Sequence, residues 1–314
     1  MWWFKLACIA LAAANAVLGA SAAPPSAVDL AHCPKSCGGV NISYPYGIGR
    51  GCFRPGFEVT CNHNTRPPKL FLTNTTTEIV QQYPWGVAKA SIVFNIATRP
   101  GVFGNYSRSW EAPGKSFPID RSNIVVIVGC GVEAFLFDTT SGPRNLLGNC
   151  ATMCDDMAAL EKAEGGGCKG MGCCNIEFGE PVLAFRLDII QKEEAVPAAL
   201  ANATTLKAFL LDDNGMYTFS MLDLLSDKVN ETTIGAAMAD LSPIITDQPN
   251  CRTARMHEQY ACAANNCMDY FGSGGYWCAC SIEGDFGNPY IVGRGGGGCS
   301  GRHCSSILRQ CCPQ

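Results

Sequence analysis

The stretch CPKSCGGVNISYPYGIGRGCFRPGFEVTC, residues 33–61, sets four cysteines among turns rich in glycine and proline. The whole chain has 314 residues, 20 cysteines and only four histidines. So many thiols would be a hazard in a reducing cytosol, and four histidines offer little help for zinc ligation. The sequence therefore predicts a disulfide scaffold from an oxidising, extracellular compartment.

The 19 cysteines after Cys8 fall into groups along the chain. Ten lie from Cys33 to Cys174, none between 175 and 250, and six from Cys251 to Cys299, followed by three near the end. Two even-numbered groups indicate two modules that each close their own bridges. The adjacent Cys173 and Cys174 point in different directions and are expected to bond to different partners.

The first 22 residues are typical of a signal peptide. Lys5 precedes a short apolar run, and Ala20-Ser21-Ala22 is a small-x-small site for cleavage before Ala23. A membrane anchor is the alternative, but the run is short for a span and no later segment is predicted to cross. We expect the chain to be secreted and glycosylated, with Asn-x-Ser/Thr sequons at Asn41, Asn74, Asn105, Asn202 and Asn230.

Short β-favouring runs dominate the first module, separated by proline, glycine and asparagine. They are GFEVTC (56–61), PKLFLTN (68–74), ASIVFNIA (90–97) and NIVVIVGC (123–130), the last continuing into a second buried strand up to residue 137. One helix is predicted within 150–167, with Met153, Met157 and Leu160 on one face and with Cys150 and Cys154 sharing a face.

Residues 175–250 contain no cysteine but are too apolar for a flexible linker. Three strands are predicted in them, PVLAFRLDII (181–190), LKAFLLDD (206–213) and MYTFSMLDLL (216–225), with a turn at DDNG (212–215). We interpret this segment as a β-rich extension packed on the first module. The predicted fold is mainly β and disulfide-rich.

Charge is distributed unevenly although the net charge is only −4. Residues 23–130 carry ten basic and five acidic side chains, whereas residues 131–250 carry seven basic and 18 acidic ones. This asymmetry indicates an anionic partner for the front of the chain, the alternative being that both faces are simply solvated. No nucleic-acid partner, cofactor or metal is expected.

The spacing of the six cysteines from Cys251 to Cys299, with one residue between the fourth and fifth, resembles an EGF-like module. That resemblance implies the pairs Cys251–Cys267, Cys262–Cys278 and Cys280–Cys299. The triplet Asp285-Phe286-Gly287 lies inside this frame. We interpret it as a coincidence, because the glycine-rich loop, strand lysine and His-Arg-Asp loop of a kinase do not precede it. Calcium is not expected either, since Asp247 is the only acidic residue just before the first cysteine of the frame.

Several motifs in one order resemble the extracellular portion of plant wall-associated receptor kinases. The segment 33–72 has a Cys-x-x-x-Cys-Gly pair, a Tyr-Pro-Tyr-Gly-Ile turn, Gly-Cys-Phe and Pro-Pro-Lys-Leu; VGCG (128–131), CKGMGCC (168–174) and Gly-Asn-Pro-Tyr (287–290) follow. The resemblance covers about 33–293. It implies a small lectin-like, galacturonan-binding domain at 23–180, the extension at 181–250 and an EGF-like module at 251–299, before an irregular tail at 300–314.

The family usually continues with a calcium-binding EGF-like repeat, a transmembrane helix and a kinase, none of which is recognised in this sequence. Its glycine-heavy ending is interpreted as an alternative ending, a truncated gene model or a natural soluble form. The resemblance implies location in the cell wall and binding of de-esterified pectin, a polymer of galacturonate. The contact residues predicted in the front module are Arg50, Arg54, Arg66 and Lys69, with Tyr44 and Tyr46 as candidate stacking rings.

Two other classes of function stay open at this point. One is a receptor fragment that binds extracellular proteins through the EGF-like module. The other, less favoured, is a secreted glycoside hydrolase, which would need two carboxyl groups facing each other across a cleft. No Gly-x-Ser-x-Gly elbow is present for acyl chemistry, and we predict no catalytic residues.

Overall fold

The computed structural model describes residues 23–98, 104–140, 145–154, 156–192, 200, 205–212, 217–226, 238–263, 266–270, 274–280, 287–293 and 299. The predicted signal peptide, the tail from residue 300, the DDNG turn beyond Asp212, and Asn202 and Asn230 lie outside this part of the chain. None of the described helices is long and apolar enough to cross a membrane.

The structure is mainly β, as predicted. Those of the front half are β1 (Ser36–Cys37), β2 (Val40–Asn41), β3 (Val59–Asn62), β4 (Lys69–Leu72), β5 (Glu78–Gln82), β6 (Ala88–Ser91), β7 (Val93–Ala97), β8 (Gly104–Glu111) and β9 (Asn123–Val128). The strands that follow are β10 (Val132–Asp138), β11 (Asn145–Thr152), β12 (Cys173–Glu177), β13 (Ala184–Gln191), β14 (Thr205–Asp212), β15 (Ala239–Leu241), β16 (Cys267–Asp269) and β17 (Tyr276–Cys278).

Three larger sheets organise these strands. A five-stranded sheet has the order β15-β6-β5-β4-β3, and two four-stranded sheets have the orders β11-β10-β13-β8 and β12-β9-β14-β7. All the strand pairs are antiparallel. Small two-stranded sheets, β1-β2 and β16-β17, complete the described strands.

The composition of each strand matches its burial. The strand β9 reads NIVVIV and is buried almost throughout, because its sheet has an apolar layer on each face. One layer is shared with the neighbouring four-stranded sheet through residues such as Phe185 and Leu187, and the other contacts Leu160 and Leu224 of two short helices. The strand β13 instead alternates, with Phe185 and Leu187 buried and Arg186 and Asp188 paired at its outer face.

The helix predicted in 150–167 is present but shorter. It forms α1 (Met157–Ala163), with the Asp156 side chain accepting a hydrogen bond from the Ala158 amide as N-cap. Cys150 belongs to β11, where an eight-residue strand pairs with β10, so the prediction that Cys150 and Cys154 share a helix face is wrong. Pairing with β10 outweighs the weak helical pattern of residues 150–154.

The strand predicted at 216–225 is also wrong. Ser220 caps a helix α2 (Met221–Leu225) instead, accepting a hydrogen bond from the Leu222 amide. The apolar residues Phe219 and Leu224 still pack into one core cluster. A third helix, α3 (Cys251–Ala254), is capped by Asn250 at the entry to the cysteine frame.

The predicted extension does not form a separate layer. Its strand β13 lies between β8 and β10, and its strand β14 lies between β7 and β9, with β15 at the edge of the five-stranded sheet. The same apolar core extends from Leu30 to Tyr290. Residues 181–250 therefore complete the sheets of the front module, because antiparallel neighbours can come from distant parts of a chain.

Eight disulfides connect these elements. The ten cysteines of the first group pair among themselves, with Cys173 and Cys174 bonded to different partners. Three further pairs are those that the EGF-like resemblance implies. The bridges of the first group are Cys33–Cys52, Cys37–Cys61, Cys130–Cys154, Cys150–Cys174 and Cys168–Cys173.

Candidate functional site

A shallow groove runs along the outer face of β3. Two adjoining depressions of about 500 and 450 Å³ share Thr60, Cys61 and His63 in their linings. The lining comes from residues 34, 36, 48–49, 58–64, 71–72 and 74–75, and we call the depression they form the β3 groove. Its length along the strand suits an extended ligand better than a compact one.

Two close backbone approaches shape one side of this groove. A Cβ on Gly38 would lie 2.1 Å from the Pro68 carbonyl oxygen, and a Cβ on Gly47 would lie 2.0 Å from the Cys52 carbonyl oxygen. Gly38 also has a φ of +57°, which favours glycine. The Cys-Gly, Tyr-Pro-Tyr-Gly, Gly-Cys-Phe and Pro-Pro-Lys-Leu motifs are thus packed against one another, and the disulfides at Cys33 and Cys37 hold them there.

Three of the predicted basic contact residues are exposed beside the groove. Arg50 follows Gly49, which lines the groove, and Arg66 and Lys69 follow the lining residues 62–64. Lys69 pairs with Glu78 at 2.8 Å while its side chain remains 45% exposed. An exposed pair of this kind contributes only about 0–1 kcal/mol, so the lysine can exchange this carboxylate for another.

Arg54 is placed differently, and the expectation that it is exposed is wrong. Its side chain is only 4% exposed, where it forms an ion pair with Asp247 and donates to the Gln259 carbonyl at 2.7 Å. These partners lie just before and within the cysteine frame. Arg54 therefore fastens the front module to the EGF-like module, because its side chain is buried where the two meet.

The two tyrosines are buried as well, so neither offers a ring face to solvent. Tyr46 is 1% exposed and packs its ring against Phe57 and Phe117, with both centroid distances 5.5 Å. Tyr44 is 8% exposed, and burial raises the pKa of its hydroxyl while the nearby Arg54 acts in the opposite direction. Both rings are part of the core instead.

A second fastening involves the Gly-Asn-Pro-Tyr motif. The Asn288 amide donates to the Ser43 hydroxyl at 3.0 Å and to the Tyr44 carbonyl at 2.5 Å, and its oxygen accepts from the Tyr290 amide. The Tyr290 hydroxyl in turn accepts from the Cys278 amide at 3.2 Å. The Tyr-Pro-Tyr turn and the Gly-Asn-Pro-Tyr turn, 245 residues apart in sequence, thus form one joint.

The uneven charge distribution has an explanation that the sequence did not suggest. Lys89 of the basic front forms ion pairs with Asp212 and, at 2.9 Å, with Asp240, both from the acidic middle. Arg54 similarly pairs with Asp247. Part of the charge asymmetry is therefore neutralised by ion pairs within the protein. Fewer basic residues of the front module are then available to bind a ligand.

The groove contains two polar features that sequence reasoning missed. Glu58 is exposed and contributes the one carboxylate found in the groove lining, within the described part of the chain, and His63 is exposed on the turn after β3. The sequon residue Asn74 also lines it, so a glycan there would border the groove; Asn41 and Asn105 are exposed too. Only the strand register brings these residues together.

One cluster brings together a nitrogen and two sulfurs as a metal site would, but its sulfurs are not available as metal ligands. The ring of His32 and the sulfurs of Cys33 and Cys52 lie within 4.8 Å of one another. The two sulfurs are bonded to each other, so neither is a thiolate. This cluster is therefore a disulfide packed beside an imidazole.

Comparison with known proteins finds one matching family model and several relatives. Residues 33–83, which include most of the β3 groove, match the model described as wall-associated receptor kinase galacturonan-binding. Wall-associated receptor kinase 2 of Arabidopsis thaliana is 29% identical over 270 residues, covering 82% of this chain and 33% of that protein. Wall-associated receptor kinase 5 is 27% identical over 293 residues, covering 89% and 36%.

Wall-associated receptor kinase-like 6 of the same plant is 30% identical over 161 residues, covering 45% of this chain and 24% of that protein. Among solved structures, an infectious bursal disease virus Gt strain chain overlaps 55% of this chain and 46% of its own at a TM-score of 0.15 and 8% identity, too low to bear on the fold. The chain spans about a third of the length of the curated wall-associated kinases it matches. By these matches and by the motifs joined around its β3 groove, the chain is similar to the extracellular portion of the wall-associated receptor kinases.

Proposed function

We propose that this chain binds de-esterified galacturonan along the β3 groove, with Arg50, Arg66 and Lys69 pairing with its carboxylates. The observation that carries the proposal is that the segment matching the galacturonan-binding model is also the one that forms the groove and holds these three exposed cations. Arg54, Tyr44 and Tyr46 support the fold of that segment and make no ligand contact in this proposal.

The physics favours a long ligand with repeated charges. Each exposed ion pair contributes only about 0.2–1 kcal/mol, so several carboxylates must be engaged together for useful affinity. An arginine can contact a carboxylate through two parallel hydrogen bonds, which favours Arg50 and Arg66 as the main contacts. A polymer of galacturonate offers such carboxylates at regular intervals, and methyl-esterification would remove them.

Binding without cleavage fits the groove best. Hydrolysis of a glycosidic bond requires an acid and a second carboxylate on either side of the bond, roughly 5–10 Å apart. In the described lining of the groove, Glu58 has no carboxylate partner of this kind. In this proposal the chain acts in the cell wall, as an ectodomain or a soluble form, where the eight disulfides of its described residues remain oxidised.

The test is retention on a polygalacturonate column at low salt. Changing Arg50, Arg66 and Lys69 together to alanine should weaken binding on the order of tenfold, from about 1–3 kcal/mol summed over three exposed contacts. Raising the salt to 1 M, where the Debye length falls to about 3 Å, should release the unchanged protein. A column of highly methyl-esterified pectin should retain neither the unchanged protein nor the triple variant.

The matched control changes Lys115, Lys162 and Lys169 to alanine, three exposed lysines that lie outside the groove. It removes the same charge, so equal loss of retention in the two triple variants would contradict a localised site and leave only general attraction to the net charge. Incubation with polygalacturonate should release no new reducing ends. Their appearance would favour a hydrolase.

Replacing Glu58 by glutamine should strengthen binding to polygalacturonate instead of weakening it. The carboxylate repels galacturonate where it lines the groove, so its removal should raise affinity about two- to fivefold, as expected for one exposed charge. The measurement is the salt concentration at which half the protein elutes, compared with that of Glu111→Gln, an exposed glutamate outside the groove. An unchanged or lower elution salt for Glu58→Gln would show that ligand does not pass over β3.

A further inference from the structure

A separate cavity lies between the five-stranded sheet and the EGF-like hairpin. Its volume is about 240 Å³, and its walls come from the turn after β5, the loops around Asp120 and Ser242, and both sides of the β16-β17 hairpin. This is below the roughly 300–1,000 Å³ of pockets for drug-sized ligands, so it suits one side chain or one small head group. Both modules are needed to form it, because Trp85 belongs to one and Trp277 to the other.

Aromatic rings form most of its apolar wall. Trp85 is 44% exposed, and its ring stacks on that of Tyr83 with a centroid distance of 4.6 Å and an angle of 12°. Trp277, on β17, and Tyr270, just after β16, contribute the opposite wall. A half-exposed indole held by a stacked tyrosine is a preformed surface, which loses little conformational entropy when it binds a ligand.

A carboxylate faces the same space. Asp120 accepts hydrogen bonds at 3.0 Å from both the amide and the hydroxyl of Ser122, and its other oxygen accepts at 2.7 Å from the Ser242 hydroxyl. These three donors fix its orientation. Among the residues for which the structure gives positions, no lysine, arginine or histidine forms an ion pair with Asp120.

The neighbouring charges do not neutralise this carboxylate. Lys89, on β6 of the five-stranded sheet, is engaged by Asp212 and Asp240. The Tyr270 hydroxyl is buried and makes no hydrogen bond within the described residues. Burial, followed by the charge of Asp120, raises the pKa of that hydroxyl, so the negative potential of Asp120 reaches across the cavity.

We propose that this cavity binds a cationic side chain, an arginine or lysine of an extracellular peptide or protein, between Trp85 and Trp277 with its charge on Asp120. Indole faces attract cations through the ring quadrupole, and a carboxylate supplies the counter-charge. Galacturonate is disfavoured here because Asp120 repels it. The site is thus opposite in charge preference to the β3 groove and does not depend on that groove binding pectin.

The experiment uses the full secreted chain labelled with 5-fluorotryptophan and observed by ¹⁹F NMR. The probe is the acetylated, amidated peptide Gly-Gly-Arg-Gly-Gly, and the matched neutral probe has citrulline in place of arginine. The arginine peptide should shift the Trp85 and Trp277 signals and leave that of the buried Trp110 unchanged. We expect at least tenfold weaker binding of the citrulline peptide.

The matched variants separate the cavity from general surface charge. Asp120→Asn should lower the affinity for the arginine peptide at least tenfold. Glu111→Gln, which removes one exposed charge elsewhere, should leave that affinity within twofold of the unchanged protein. Trp85→Phe provides a second variant if Asp120→Asn fails to fold; it should weaken binding severalfold and abolish one shifted signal. Equal binding of both peptides, an unchanged affinity in these variants, or no shift of either indole would overturn the proposal. A shift caused instead by a neutral oligosaccharide such as cellotriose would also overturn it and assign the cavity to sugar.

Discussion

Replacing Arg54 by alanine is expected to lower the free energy of unfolding by about 3 kcal/mol, within the range for breaking a buried ion pair by removing one partner. The change leaves the half-buried Asp247 carboxylate without its cation and the Gln259 carbonyl without its donor. It also loosens the contact between the front module and the EGF-like module. For a chain of this size the melting temperature should fall by roughly 6–12 °C.

The matched control is Arg66→Ala, because Arg66 is exposed and no described residue forms an ion pair with it. Its melting temperature should remain within about 1–2 °C of that of the unchanged protein. Retention on polygalacturonate should show the reverse order: Arg66→Ala elutes at lower salt, whereas folded Arg54→Ala elutes unchanged. Equal melting temperatures for the two variants would show that Arg54 does not hold the modules together.

Replacing Lys207 by methionine is the second change with a large expected effect. Lys207 is fully buried on β14, and its ammonium group donates to the carbonyl of Asp223 and, at 2.6 Å, to that of Ser226, at the end of α2. Methionine has similar length but no donor, so these carbonyls lose the ammonium hydrogen bonds. At about 1.5–3 kcal/mol for each hydrogen bond from a charged group, we expect the loss of these two bonds to cost roughly 3 kcal/mol.

Equilibrium unfolding in guanidinium chloride, with the disulfides intact, measures this loss as a lower midpoint at an unchanged slope. The control is Lys162→Met on α1, where the lysine is exposed and the change should cost less than about 0.5 kcal/mol. If Lys207→Met and Lys162→Met unfolded at the same midpoint, the ammonium group would have no role in holding α2 against β14.

Much of the fold follows from short-range patterns. The strands β9, β13 and β14 were predicted because an apolar run or a strict alternation shows a strand whatever it pairs with. The segment at 216–225 was misassigned, since its apolar residues suit either structure and only the Ser220 cap favours a helix. The helix α1 starts later than predicted, because residues up to 152 pair with β10 as part of β11. That pairing partner is distant in sequence, so the local pattern of residues 150–154 does not reveal it.

The site was less predictable than the fold. The sequence offered four basic residues as candidate contacts, but composition could not separate exposed Arg66 from buried Arg54, two arginines only 12 positions apart. The difference depends on Asp247 and Gln259, which are about 200 positions away in sequence. The Asp120 cavity could not be predicted at all, because its walls come from five separate stretches of chain.

The sequence by itself determined a disulfide-rich β protein whose motifs resemble those of wall-associated receptor kinases, since cysteine spacing, strand periodicity and turn motifs are local properties of the chain. The tertiary structure alone decided which lysine and arginine side chains of the front module are exposed to solvent. It also decided that residues 181–250 complete the front sheets and that the Tyr-Pro-Tyr and Gly-Asn-Pro-Tyr turns form one joint. Burial and pairing are set by contacts between distant segments, and no local pattern specifies which segments will meet.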